Sequence, residues 1–328
     1  MSKQRLEYID LAKGIGIISI IALHIGALPT WMPKLSASWV PLFFILSGMF
    51  FRPEESFRVM LIKKINTILI PFMFFYVASY IVFYMAELLI PGLMKSDAKG
   101  IGDVFRQENY FNGPIWFLLS LFWDFLILWG IFRCTNNHVF RSILIFAIGI
   151  IGIALGMSRV FLPLKIAQAF TALLFFYIGY IIKSNYIFGY FNRLKSCYMS
   201  IGLFLVSVLL ARMFAPSHME PSLNLFVGNI LISYLIILSF SFATIFISKT
   251  IYKIDIINYF GKYSLIPLCL HHLIYRPIQL FCNMSSSLVL NSKLSITILI
   301  ILIILILMPL IIKYCPYICG QKNLIKIR

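Results

Sequence analysis

"ITILIILIILILMPLII", residues 296–312, holds one hydroxyl and no charge in seventeen positions. An α-helix needs about 20 mostly apolar residues to cross a hydrocarbon core about 30 Å thick. This run, with its neighbours, is that long, and no surface of a soluble globule has a use for it. The composition agrees along the whole chain: 61% of the residues are hydrophobic, 12% are charged, and the mean hydropathy is +0.94. That leaves too little polar surface to cover a soluble protein.

The same length criterion, applied along the chain, predicts an all-α polytopic membrane protein with about ten transmembrane helices. They centre on 11–28, 39–51, 66–90, 114–132, 142–157, 164–182, 198–214, 224–247, 263–282 and 294–312. The second and fifth are short enough to be tilted or re-entrant. The largest gap, 91–113, contains "GLMKSDAKGIGD" and reads as an exposed loop. No stretch is long and polar enough for a separate soluble domain, so residues 1–328 are expected to form a single membrane-embedded domain.

A net charge of +17 invites a nucleic-acid partner, but the placement of the charges argues for topology instead. Basic clusters at 3–13, 52–64, 133–141, 183–195, 249–262 and 313–328 fall between alternate spans. Basic residues concentrate on cytoplasmic segments, so both termini are expected in the cytoplasm, with anionic lipids or a phosphorylated cofactor as partners and no nucleic acid. The first apolar run lacks a small-residue cleavage site and is expected to remain as a helix. The six cysteines form no C-x-x-C pair and read as packing residues, with no metal site.

Within that frame, "YIDLAKGIGIISIIALHIG", Tyr8 to Gly26, is unusual. Lys13 and His24 are eleven residues apart, which at about 100° and 1.5 Å per residue puts them on nearly one face, roughly 16 Å apart. Asp10 lies one turn before Lys13. A central ionisable group costs on the order of 2.5–3.5 kcal/mol on insertion scales for Asp, Lys or Arg, so such groups face a cavity or a partner. Asp10 and Lys13 either snorkel to the interface or serve that cavity. His24 is either a satisfied core histidine or a functional one. Asp124, inside "LLSLFWDFLIL", poses the same question near the middle of the fourth span. It would hold the tautomer of a histidine or pair with a basic residue.

These residues carry a resemblance. "RLEYIDLAKGIGIISIIALHIG" (5–26) resembles the first-helix signature of acyltransferase family 3, the integral-membrane O-acyltransferases, and especially its fucose 4-O-acetylase-like branch. "PLFFILSGMFF" (41–51), "KKINTILIPF" (63–72), "GPIWFLLSLF" (113–122) and "GKYSLIPLCLH" (261–271) resemble later family segments, in the family's order. Two positions depart from the pattern. Lys13 stands where many members carry Arg, giving a point charge in place of a bidentate fork. Pro267 and Leu268 stand where the late motif commonly has a tyrosine.

The resemblance implies transfer of an acyl group, usually acetyl from cytoplasmic acetyl-CoA, to a sugar hydroxyl of an extracytoplasmic glycan or its lipid-linked precursor. It also implies a bacterial cytoplasmic membrane and no appended esterase-like domain. A hydroxyl is a poor nucleophile at neutral pH, and histidine has the nearest unperturbed pKa for a base. His24 is the expected base, or else itself accepts the acyl group.

Lys13, Lys63 and Lys64 would meet the phosphates of CoA, and Gly14 and Gly16 would either admit its pantetheine arm or pack helices. His271, selected over His272 by counting seven from Ser264, would orient the acceptor or polarise the thioester carbonyl. Trp116 would anchor at the interface or stack on the sugar. Glu87 and Arg159, near outer helix ends, would bind the acceptor or read as solvated rim charges. A different class remains open: a transporter or flippase for a lipid-linked sugar, with His24 and Asp124 relaying protons. It would be marked by repeated halves and paired broken helices, neither of which is evident.

Overall fold

The computed structural model describes residues 6–29, 35, 38–89, 101–105, 112–284 and 292–326. Twelve α-helices follow one another in these segments: α1 (Glu7–Ile25), α2 (Trp39–Gly48), α3 (Phe57–Lys64), α4 (Ile70–Leu89), α5 (Trp116–Cys134), α6 (His138–Met157), α7 (Ile166–Ser184), α8 (Arg193–Met213), α9 (Ile230–Ile251), α10 (Asp255–Lys262), α11 (Leu265–Met284) and α12 (Lys293–Tyr314). A π-helical turn, Ile65–Leu69, joins α3 to α4.

Among the described residues, eight helical segments are long and apolar enough to cross a membrane. Two of the ten expected spans fall outside this set. The 39–51 stretch yields only the ten-residue α2. The 263–282 stretch does form α11, but His271, His272, Arg276 and Gln279 dilute its apolar run. Other spans begin earlier than expected. The third runs continuously from Phe57 to Leu88, 32 residues, because the π turn bridges the polar start to the apolar helix. Lys63 and Lys64 therefore sit inside a helical run, where the sequence places them at its entrance. The loop expected over 91–113 lies largely outside the described residues. Of its described residues, 101–105 and 112–113, Ile101–Phe105 form a 3₁₀ turn whose Ile101 carbonyl accepts from the Tyr76 hydroxyl at 2.8 Å.

Among the described residues the fold departs from all-α at one place. His218–Glu220 and Leu225–Val227 pair antiparallel, with Met219 opposite Phe226, between α8 and α9. Strands of three residues carry too little alternation to be read from sequence.

The chain folds into two compact units, each assembled from three segments. The first comprises 1–51, 145–159 and 170–264. In it α1 lies along α10, with α2 and α9 beside it. Glycine makes the approach possible: a Cβ on Gly14 would lie 2.0 Å from the Ile257 carbonyl oxygen, and one on Gly261 would lie 1.7 Å from that of Asp10. Asn258 Nδ2 then donates to the Glu7 carbonyl and to Glu7 Oε2, both at 2.9 Å, locking the start of α1 to α10. Asn192 and Asn229 cap α8 and α9 by accepting from Lys195 N and Ile232 N. Tyr234 lies stacked between Phe175 and Phe226, which seats the hairpin on α9.

A valine at 261 meets the α1 backbone at Asp10 and Gly14, so Gly261→Val is expected to destabilise the protein by about 1–3 kcal/mol, as overpacking does. Gly202→Val meets nothing within 4 Å and serves as the control. Equal unfolding midpoints in detergent would refute the crossing of α1 on α10.

The second unit comprises 52–144, 160–169 and 265–328. Its centre is α5, whose span is 72% buried, against 22% for α12. A helix buried all round is an interior element, while α12 offers isoleucine and leucine to lipid. α5 is tied at its C-terminal end and at its middle. Trp129 Nε1 and an Arg133 amine donate to the Glu55 carbonyl at 2.9 and 3.1 Å, and Trp123 Nε1 donates to Leu164 O at 3.1 Å.

Candidate active site

Asp10, Lys13 and His24 belong to the first unit. Because α1 starts at Glu7 and ends at Ile25, Asp10 and Lys13 occupy its first two turns and His24 its last. Asp10 is buried, and the Lys13 ammonium lies 5.1 Å from the centre of the Phe50 ring. His24 is exposed, beside the point where the chain leaves the helix. That exit is made by Gly26 in the left-handed region (φ 74°), whose N–H returns to the Ala22 and Leu23 carbonyls. The helix axis thus separates a charged end from a histidine end by roughly 16 Å between Lys13 and His24. Gly14 and Gly16 face Ile257 and Phe43, so helix packing accounts for both.

Lys63, Lys64, Trp116, Asp124 and His271 belong to the second unit. The Lys63 ammonium lies 2.6 Å from Glu55 Oε1, with Arg52 at 3.6 Å from the same oxygen. The Lys64 ammonium sits 3.4 Å from the centre of the Phe125 ring, a cation–π contact. Lys63 is therefore held, through Glu55, near the C-terminal end of α5 and Lys64 against its middle.

At the other end stand the histidines of α11. His271 is 1% exposed, and its Nδ1 lies 2.8 Å from the Pro267 carbonyl oxygen. A carbonyl only accepts, so Nδ1 carries the proton and Nε2 is the nitrogen able to take one. His272, its ring centre 6.3 Å away, accepts at Nε2 from Arg276 Nε at 3.4 Å. A Cβ on Gly113 would stand 4.0 Å from His272 Cε1, so the entry to α5 lies against this pair. Trp116 is buried in that entry.

Asn112 explains why the two elements meet. Fully buried, it donates from Nδ2 to Cys269 O at 2.7 Å and to Ser79 Oγ at 3.2 Å, joining the α5 entry to α11 and α4. Sequence reading passed over it, although an Asn directly before Gly-Pro at a helix start is a visible signal. Asn66, in the π turn, was passed over in the same way.

Asp124 is fully buried midway along α5. Among the described residues, neither of its carboxyl oxygens has a hydrogen-bond partner. It therefore holds no histidine tautomer and pairs with no basic residue there, contrary to both expectations. Ser120 Oγ, one turn earlier on the same face, is equally buried and without a partner among the described residues.

The order of motifs along the helices, from the Asp-Lys-His helix to the late histidine, finds its counterpart in a family profile. A profile described as an acyltransferase domain, that of acyltransferase family 3, matches residues 6–313. The chain belongs to acyltransferase family 3. The match runs through both compact units of this multi-pass acyltransferase and takes in every candidate residue named above. No curated protein and no solved structure matches the acyltransferase.

Proposed function

We propose that this acyltransferase moves an acyl group, acetyl in the first instance, from cytoplasmic acetyl-CoA to a hydroxyl of an extracytoplasmic sugar, in a polysaccharide or its lipid-linked precursor. This is the reaction implied by its resemblance to the fucose 4-O-acetylase-like branch. The observation that carries the reading is the layout of α1, with Asp10 and Lys13 at one end and His24 in the last turn at the other. A donor bearing phosphates and an acceptor without charge need opposite surroundings, and one membrane helix supplies both.

In this reading residues 1–328 act as one domain with ten crossings, α2 and α11 completing the eight apolar spans. The basic segments and both termini face the cytoplasm of a bacterial cell. Lys13, Lys63 and Lys64 draw the donor phosphates, with Asp10 one turn from Lys13 setting its electrostatic surroundings. His24 removes the proton of the attacking hydroxyl, the oxygen attacks the thioester carbon, the C–S bond breaks, and the thiolate of CoA takes a proton. His271, with Nδ1–H held by Pro267, presents an acceptor nitrogen. In its neutral form it orients a sugar hydroxyl and cannot donate to a thioester carbonyl. Trp116 offers its ring to the sugar.

The test uses purified protein in inside-out proteoliposomes with acetyl-CoA labelled in the acetyl group, following thioester loss and label transfer to enclosed glycan. Thioester turnover with label on glycan is expected. An intact thioester, with a labelled lipid-linked sugar crossing the bilayer, would replace the enzyme by a flippase.

A further inference from the structure

The chain beyond α12 is held in place by polar contacts. Gly320 takes a left-handed conformation (φ 68°), and a Cβ there would lie 3.2 Å from Thr67 Cα, so the backbone passes directly over the π turn. Asn66 in that turn is fully buried. Its Nδ2 donates to Ile325 O and its Oδ1 accepts from Ile325 N, both at 2.9 Å, so one amide engages both backbone groups of one residue. The same Nδ2 donates to Ile62 O at 2.9 Å, and Thr67 Oγ1 donates to Lys63 O at 2.8 Å. π turns of this kind concentrate at functional positions.

Apolar burial does not explain this strap, since Leu324 is 60% and Ile325 43% exposed. Ordering an exposed segment loses conformational entropy, so a buried side chain spent on fixing it points to something the strap positions. The strap carries two exposed cations, Lys322 and Lys326, the latter adjacent to the clamped Ile325. Among the described residues neither ammonium has an ion pair or hydrogen bond. Lys63 and Lys64, within three residues of Asn66, are by contrast engaged with Glu55 and Phe125.

We propose that the strap is a phosphate-binding arm, in which Lys322 and Lys326 hold the nucleotide phosphates of the acyl donor and Asn66 is the residue that positions them. This rests on the acyl-CoA reading above. The chemistry recognised is a phosphate, and a lipid headgroup is its other source. Unpaired lysines suit the role because a flexible ammonium meets phosphate as a point charge without first breaking a protein contact.

The full chain is assayed in phosphatidylcholine vesicles, with and without phosphatidylglycerol, using acetyl-CoA and S-acetylpantetheine, which lacks the phosphates. The variant Lys322→Ala with Lys326→Ala is expected to raise KM for acetyl-CoA about twenty-five-fold, from about fivefold per basic residue, at unchanged kcat. S-acetylpantetheine kinetics stay as in wild type. Asn66→Ala, and Gly320→Val as the variant that spares the buried amide, should show the same KM pattern with both lysines present. An unchanged KM, or equal losses with the two donors, overturns the proposal, and so does an effect confined to phosphatidylglycerol vesicles, which assigns the arm to lipid. Wild type that consumes neither thioester overturns the acyl-CoA reading instead. Direct binding of adenosine 3′,5′-bisphosphate then decides the arm, since equal affinity in wild type and the double variant refutes it.

Discussion

Thioester consumption by His24→Ala is expected to fall by about 10²–10⁴-fold, the usual contribution of a positioned general base. The physical ground is that α1 ends immediately after this histidine. Gly26 terminates the helix by a left-handed turn, so the His24 backbone is fixed while its side chain stays exposed. Removing the imidazole should therefore leave fold and abundance intact, because the side chain is exposed at the end of the helix. His24→Gln keeps a polar side chain of similar reach but no base, and should be equally inactive. A variant that retains more than about a tenth of wild-type turnover would remove His24 from the chemistry, since a tenfold change corresponds to only about 1.4 kcal/mol. Normal activity in His24→Ala with a dead His271→Ala would move the base to α11.

Asp124→Leu is expected to raise thermal stability while lowering turnover. The carboxyl is fully buried in α5 without a hydrogen-bond partner among the described residues, and so is Ser120 Oγ one turn away. An acidic residue at the centre of a span costs on the order of 2.5–3.5 kcal/mol, and a leucine of similar size removes that cost. Stability should therefore rise by about 2–3 kcal/mol, read as the unfolding midpoint in detergent. A group kept at such a cost with no compensating bond is a feature expected of a working site. The thioester assay on the same preparation supplies the second readout. A lowered midpoint with unchanged turnover would show that Asp124 is a structural residue after all.

The candidate residues were legible where they depended on chemical type within one helix. Asp10, Lys13 and His24 stand out because ionisable side chains are rare in an apolar run, and their spacing alone sets the face and the separation. The late histidine was legible as a type, but its state was not. That Nδ1 of His271 is protonated follows from the Pro267 carbonyl beside it, in a helix whose earlier proline marks a departure from the family pattern. For Asp124, rarity singled out the residue but suggested partners that its carboxyl does not meet among the described residues. Which side chains surround the middle of α5 is not encoded near residue 124.

The sequence by itself determined that the protein is mostly helical and apolar enough to be membrane-embedded, and which side chains are costly enough to need a purpose. Hydrophobicity acts residue by residue and sums over about 20 positions, so a local window contains the answer. Only the tertiary structure decided the rest. Gly261 admits Asp10, Asn112 joins Cys269 across 157 positions, and Asn66 holds Ile325 across 259. Such contacts depend on which helices become neighbours, and lipid tails are as apolar as leucine. Close packing at glycine and hydrogen bonds between buried amides and backbone therefore choose the neighbours, and neither leaves a periodic trace in the chain.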